Sequence, residues 1–148
     1  MRGFSFVEVI VVVGLLGLLL SVGTVVSLHY LNTQQLRVAS EAVFDALQQA
    51  QANADSQTNM QSFGVKILQD EAVRFEGSSY ATRAPSQDIT FVFPMTVSVP
   101  AASEAVFPAG SPFPSAATTL TIQNEQSAID IRINAYGLFE KTERAVSH

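Results

Sequence analysis

The feature that most limits what this chain can become is a run near its start, Val9 to Leu28, which reads VIVVVGLLGLLLSVGTVVSL and holds no charged residue. About 20 such residues, rising about 1.5 Å each in an α-helix, match the ~30 Å hydrocarbon core of a bilayer. The run exceeds the apolar centre of a cleaved secretory signal, about 7–15 residues, and no A-x-A cleavage site follows at its end. The expectation is a retained single-pass transmembrane helix. Arg2 before the run and His29-Tyr30 after it favour a cytoplasmic N-terminus, with the C-terminal bulk outside.

The 148 residues suffice for one domain and an appendage. Charged residues make up 14% and hydrophobic ones 47% of the chain, against about 25% charged in an average soluble domain; the apolar run explains the dilution. A net charge of −5 argues against a protein whose main task is holding phosphates, while leaving room for a local basic patch. The absence of cysteine excludes disulfide staples, thiol nucleophiles and cysteine metal sites.

Glu8 is the anomaly, set in FSFVEVIVVV with apolar neighbours on both sides. A carboxylate within a span costs about 2.5–3.5 kcal/mol unless it is paired or lies near the interface. One reading is a capping box, since Ser5-Phe6-Val7-Glu8 fits S-x-x-E at a helix start. The other is that Glu8 pairs with a positive charge on another subunit.

Gly3-Phe4-Ser5-Phe6-Val7-Glu8, followed at once by the apolar run, resembles the class III signal of type IV pilins and type II secretion pseudopilins. The resemblance implies that residues 1–3 are a short leader, that a prepilin peptidase cuts after Gly3, and that the new N-terminal amine of Phe4 is methylated. It further implies a filament core formed by the 4–28 helices, in which Glu8 of one subunit neutralises the Phe4 amine of its neighbour. The implied partners are other pilin or pseudopilin subunits, the peptidase, and an assembly platform with its motor; the implied location is the cytoplasmic membrane and then the pilus or pseudopilus. The leader is shorter than most in that family, and Val25-Val26 stand where many members carry a proline. Gly14, Gly17 and Gly23 are either close-packing positions or weak points of the helix.

Beyond the run, Leu36, Ala39, Val43, Ala46, Leu47 and Ala50 recur at helical spacing. No Pro or Gly separates this amphipathic segment (29–56) from the run, which predicts one helix from about Phe4 to Ala54. Arg37 and Glu41 are spaced as an i,i+4 pair on a solvated face. The remainder, 60–148, has strand chemistry: a hairpin from Ser62–Leu68 and Ala72–Glu76 around Gln69-Asp70-Glu71, then strands at 89–93, 97–99, 120–123, 128–133 and 138–140. The Pro-, Ala- and Ser-rich segment 101–117 reads as a loop and the most mobile part. The expected fold class is α+β, a long N-terminal helix whose first half is transmembrane, packed on a C-terminal antiparallel sheet, as in pilins. Phe63-Gly64-Val65, the stretch from Phe75 to Tyr80, and Ile129–Ile133 followed by Gly137-Leu138 are similar to the β domain of H-type minor pseudopilins and FimT-like minor pilins.

Chemistry within the β region is sparse. His29 and His148 lie far apart and no nucleophile constellation is visible, so neither an enzyme nor a cofactor is expected. Asn124, Glu125, Asp130 and Asn134 could supply oxygen ligands to calcium, but their spacing fits no calcium loop and a solvated strand edge is the better reading. Arg132, Lys141 and Arg144 form a modest basic cluster, and FimT-like minor pilins can bind DNA through C-terminal basic residues; Asp130, Glu140 and Glu143 lie among them and nearly cancel the charge. Phe107 and Phe113 are either an exposed contact patch or a lid on the sheet. The reading that results is a structural filament subunit, with the minor role favoured. Two alternatives stay open, a tip subunit that binds DNA or another ligand during uptake, and an unprocessed signal-anchored domain.

Overall fold

The computed structural model describes residues 5–57 and 60–146, the side chains of 20–29 excepted. A single helix, α1 (Phe6–Asp55), dominates it and measures about 75 Å at 1.5 Å per residue. It is continuous because nothing in it removes a backbone donor. It stops where Ser56 and Gln57 turn their N–H groups back to Ala52 O (3.0 Å) and Ala54 O (3.2 Å), with Gln57 left-handed at φ 53°.

Alternation builds the rest into two antiparallel sheets. The first contains β1 (Phe63–Ile67), β2 (Glu71–Glu76), β3 (Ile89–Val92) and β4 (Ser103–Phe107), in the order β3-β2-β1-β4. The second is a meander of β5 (Thr118–Gln123), β6 (Ser127–Ile133) and β7 (Phe139–Ala145). Val65, Ile67, Ala105 and Phe107 of the first meet Leu120, Ile122, Ile129, Ile131 and Ile133 of the second in one core. The third wall of that core is the α1 stripe Leu36, Ala39, Val43, Ala46, Leu47, Ala50 and Ala54, all buried. Its alanines keep the backbone of the helix close to the strands. Phe139 joins the three walls, lying edge-on to Phe44 of α1 at 5.5 Å and tilted against Phe107 of β4 at 6.3 Å.

Gly64 has a packing reason. It pairs across from Phe75, and a Cβ there would lie 2.4 Å from Phe75 Cζ and 2.8 Å from the Ala105 carbonyl oxygen. The β2–β3 connection is fixed by Arg83, which donates to Asp88 Oδ2 at 2.7 Å and to the Tyr80 carbonyl at 2.8 Å while its guanidinium stacks 3.7 Å from the Tyr80 ring.

Two parts of the expected fold are corrected. Among the described residues no helix is long and apolar enough to cross a membrane, which overturns the expected transmembrane first half (4–28) and the single-pass cytoplasmic-membrane location. The uncharged stretch with described side chains is Val9–Leu19, about 16 Å of helix or roughly half of a bilayer core. The expected pilin-like arrangement, a long helix packed on one sheet, is overturned as well. The strands divide between two sheets, and among the described side chains of α1 the first buried one is Leu36, the segment Phe6–Leu19 being exposed.

Smaller differences follow from tertiary pairing. Residues 97–99 form a single bridge, Ser98 to Gln123, rather than a strand. The expected loop 101–117 contains β4, because Ala105 and Phe107 point into the core and the backbone pairs with β1. The expected 138–140 strand extends to Ala145 because β6 offers a seven-residue ladder to pair with.

Filling the space above Gly64 forces the Phe75 ring off its seat, so Gly64→Ala is expected to destabilise the fold by about 1–3 kcal/mol, read as a lowered thermal unfolding midpoint. An unchanged midpoint would show that this contact is slack.

Candidate functional site

The start of α1, Phe6–Leu19, cannot be explained by packing within its own chain. From Phe6 to Leu19 its large apolar side chains are between 50% exposed (Val9, Val12) and 79% exposed (Phe6), on every side of the helix. A helix that is apolar all round belongs in contact with other apolar matter. Gly14 and Gly17, three residues apart and so on one face, have no atom within 4 Å of the Cβ positions they lack. That face is open to the close approach of a second backbone.

Glu8 stands in the first turn of this segment, exposed and flanked on its face by Val9, Val12 and Val13. Ser5 occupies the N-cap with extended geometry (φ −71°, ψ 141°), yet its side chain makes no cap hydrogen bond. The Glu8 and Val9 N–H groups instead bond to the Ser5 carbonyl at 3.0 and 3.2 Å. The hydroxyl half of the expected capping box is therefore not made, and the helix dipole is what favours a carboxylate at Glu8 within its own chain. Gly3 and Phe4 lie outside the described residues.

The three basic candidates do not form one patch. The β6–β7 register puts Arg132 opposite Glu140 and Ala128 opposite Arg144, so Arg132 and Arg144 share the outer face with Asp130, Glu140 and Thr142. Lys141, one residue out of phase, turns toward α1, where it pairs with Glu41 and approaches Ser40 Oγ. Arg144 donates to Asp130 Oδ2 at 2.9 Å. Beside the Lys141–Glu41 pair, Arg37 reaches Glu143 at 3.4 Å, so two cations and two anions cross from helix to strand in alternation. Sequence spacing made Arg37 and Glu41 partners of each other, and the sheet supplies different partners. The sign alternation of Lys141 and Glu143 against that of Arg37 and Glu41 was the available signal.

The oxygen-bearing residues considered for calcium are likewise dispersed. Asn124 is buried, accepts from the Gln126 and Ser127 N–H groups, and donates to the Asn32 carbonyl of α1 at 3.2 Å. Asn134 accepts from the Tyr136 and Leu138 N–H groups in the β6–β7 turn. Among the described residues no group of three or more His, Asp or Glu could hold a metal ion. Phe107 is wholly buried whereas Phe113 is half-exposed, so the two do not act as one patch. His148 lies outside the described residues, and the side chain of His29 is not among those described.

The surroundings of the Asp130 carboxylate lower its proton affinity. Desolvation pushes it up, but the hydrogen bonds from Thr121 and Arg144 and the charges of Arg144 and Arg132 outweigh that and hold it below the usual range. A lowered folded value stabilises the fold above the ordinary Asp value of about 3.9 and loses that contribution as pH falls through the folded value. Asp130→Asn should thus lower the unfolding midpoint at pH 7, and the gap from the wild type should close below about pH 4. A gap that stayed constant with pH would assign the effect to packing instead.

No family model, no curated protein and no solved structure matches the chain.

Proposed function

We propose that this chain is a structural subunit of a type IV filament, a pilin or pseudopilin in a minor role, processed after Gly3 and assembled through its N-terminal helix. The observation that carries the reading is the bare apolar segment Phe6–Leu19, continuous with a helix whose other end is locked into the β domain. Covering a Val, Leu, Ile or Phe side chain stabilises an assembly by about 1.5–3 kcal/mol, and this segment presents such residues on all sides. Packed against the same segment of neighbouring copies it loses that exposed surface, with the Gly14–Gly17 face admitting the closest neighbour.

Glu8 gives the assembly its specificity. Packing among apolar helices leaves their axial register weakly defined, and a carboxylate drawn into such a bundle costs several kcal/mol unless it meets a positive partner. Cleavage after Gly3 creates that partner in the Phe4 amine. One subunit's Glu8 against the next subunit's amine satisfies both charges at a single axial offset. An assembly platform and motor complete the set of partners.

The alternative of a DNA-capturing tip subunit asks for unopposed positive surface. Lys141 and Arg144 are each engaged by an acid and Arg132 sits opposite Glu140, which supports assembly over nucleic-acid binding.

Glu8→Ala is expected to be processed like the wild type but to enter filaments at least about tenfold less, the loss corresponding to about 1.4 kcal/mol or more. The readout is the share of subunit in a sheared filament fraction. Incorporation at the wild-type level would contradict the pairing.

A further inference from the structure

The two sheets end in β3, β4, β5 and β7, and three of these edges are closed or guarded. Along β4 the following chain turns back, so that the Ser115 N–H donates to the Val106 carbonyl at 2.8 Å. Along β5, Ser98 and Gln123 exchange two backbone hydrogen bonds, at 2.8 and 2.9 Å. β7 carries Glu140, Lys141, Glu143 and Arg144, and charges along an edge keep foreign strands away. β3 has none of these devices. It reads Ile-Thr-Phe-Val, four residues that favour strands and carry no charge, and on its outer side no strand lies beside it among the described residues.

The hydrogen-bond phase of β3 decides what its free edge offers. The Phe93 N–H donates to the Asp70 carbonyl at 2.8 Å, and the register pairs Phe91 with Ala72 and Ile89 with Arg74. In an antiparallel ladder every second residue bonds to the neighbouring strand, so Ile89, Phe91 and Phe93 face β2. Thr90 and Val92 therefore turn their N–H and C=O groups away from the sheet. These two donors and two acceptors stand at the spacing of an extended chain. The side chains leave room beside them: Thr90 is exposed and Val92 is 78% exposed on one face, and Ile89 is 43% exposed on the other.

We propose that the β3 edge is a docking site for an extended segment of a different filament subunit, which adds to the four-stranded sheet as a fifth strand beside Thr90 and Val92. Unpaired backbone groups in strand geometry select another extended backbone, and the exposed Val92 and Ile89 select β-branched or aromatic side chains on it. A second copy of β3 would match the same groups but not the rest of the molecule. Antiparallel pairing of two β3 edges turns α1, which lies on the sheet face, end for end, so the bare Phe6–Leu19 segments point in opposite directions. Parallel pairing puts the two helices on opposite faces of the joined sheet. Neither lets those segments pack together, and a minor role supplies few copies to pair. The proposal rests on the filament reading above and adds a contact between unlike chains. Four residues of strand make a weak contact alone, one that supplements the helical core.

The test is made on the full-length chain assembled in its host. With the photocrosslinker benzoylphenylalanine in place of Val92, the expected product joins this chain to a peptide of a different filament subunit, identified by mass. The same group in place of Val12 reports separately on packing of the apolar helix. Crosslinks at the Val12 site with none at the Val92 site would overturn the strand contact and leave the filament reading standing. So would Val92-site crosslinks that join only copies of this chain. Absence of crosslinks at both sites would overturn both readings. A backbone variant gives a second measurement without a bulky probe, because Val92→Pro removes one outward donor and leaves every bond to β2 in place. Its unfolding midpoint should stay near wild type while its incorporation into filaments falls at least about threefold. Val92→Thr keeps that N–H and should incorporate normally. Equal incorporation of the Pro and Thr variants would also overturn the contact.

Discussion

The contact on which the molecule depends is the stripe of α1 from Leu36 to Ala54 against two sheets at once. Neither sheet has a complete core of its own. The four-stranded sheet contributes Val65, Ile67 and Phe107, the three-stranded one Leu120, Ile131 and Ile133, and α1 closes the space with Leu36, Val43 and Leu47. Burial of this one stripe joins the sheets, sets where the helix leaves the domain, and fixes the direction in which its remaining length projects. The Phe44–Phe139–Phe107 cluster and the alternating charges of Arg37, Glu41, Lys141 and Glu143 hold the helix at one rotation about its axis.

That anchoring gives the bare segment its meaning. An apolar helix on a flexible tether would only be a liability for aggregation. Here the exposed Phe6–Leu19 surface continues a helix that the domain grips over five turns, so its orientation relative to the domain is specified. The functional proposal uses that geometry: copies that bury this segment together also place their β domains at a repeating offset, and Glu8 selects the offset.

Much of the local structure was legible because period and chemistry agreed. The spacing of Leu36, Ala39, Val43 and Leu47 marks a helix face, and the alternation of Phe63, Val65 and Ile67 marks a strand with one buried side. What the sequence hid was decided by partners distant in the chain. β4 lies within an Ala-, Pro- and Ser-rich stretch whose strand character comes from pairing with β1, and β7, FEKTERA, has little apolar alternation and is held by the β6 ladder. The division into two sheets has no local signature at all. Counting uncharged residues led to a membrane span, and the described part of the helix is too short in apolar length to bear it. For the candidate site, Glu8 and the glycine pair were visible as exceptions within an apolar run. The basic residues were visible as a cluster, but strand phase turned Lys141 to one face and Arg132 and Arg144 to the other.

The account is tested most directly by the N-terminal mass of the native protein isolated from its host. A chain beginning with N-methylated Phe4 is the predicted result, since the charge pairing at Glu8 requires the amine that cleavage after Gly3 creates. A chain that retains Met1-Arg2-Gly3 would leave Glu8 without its partner and contradict the assembly mechanism.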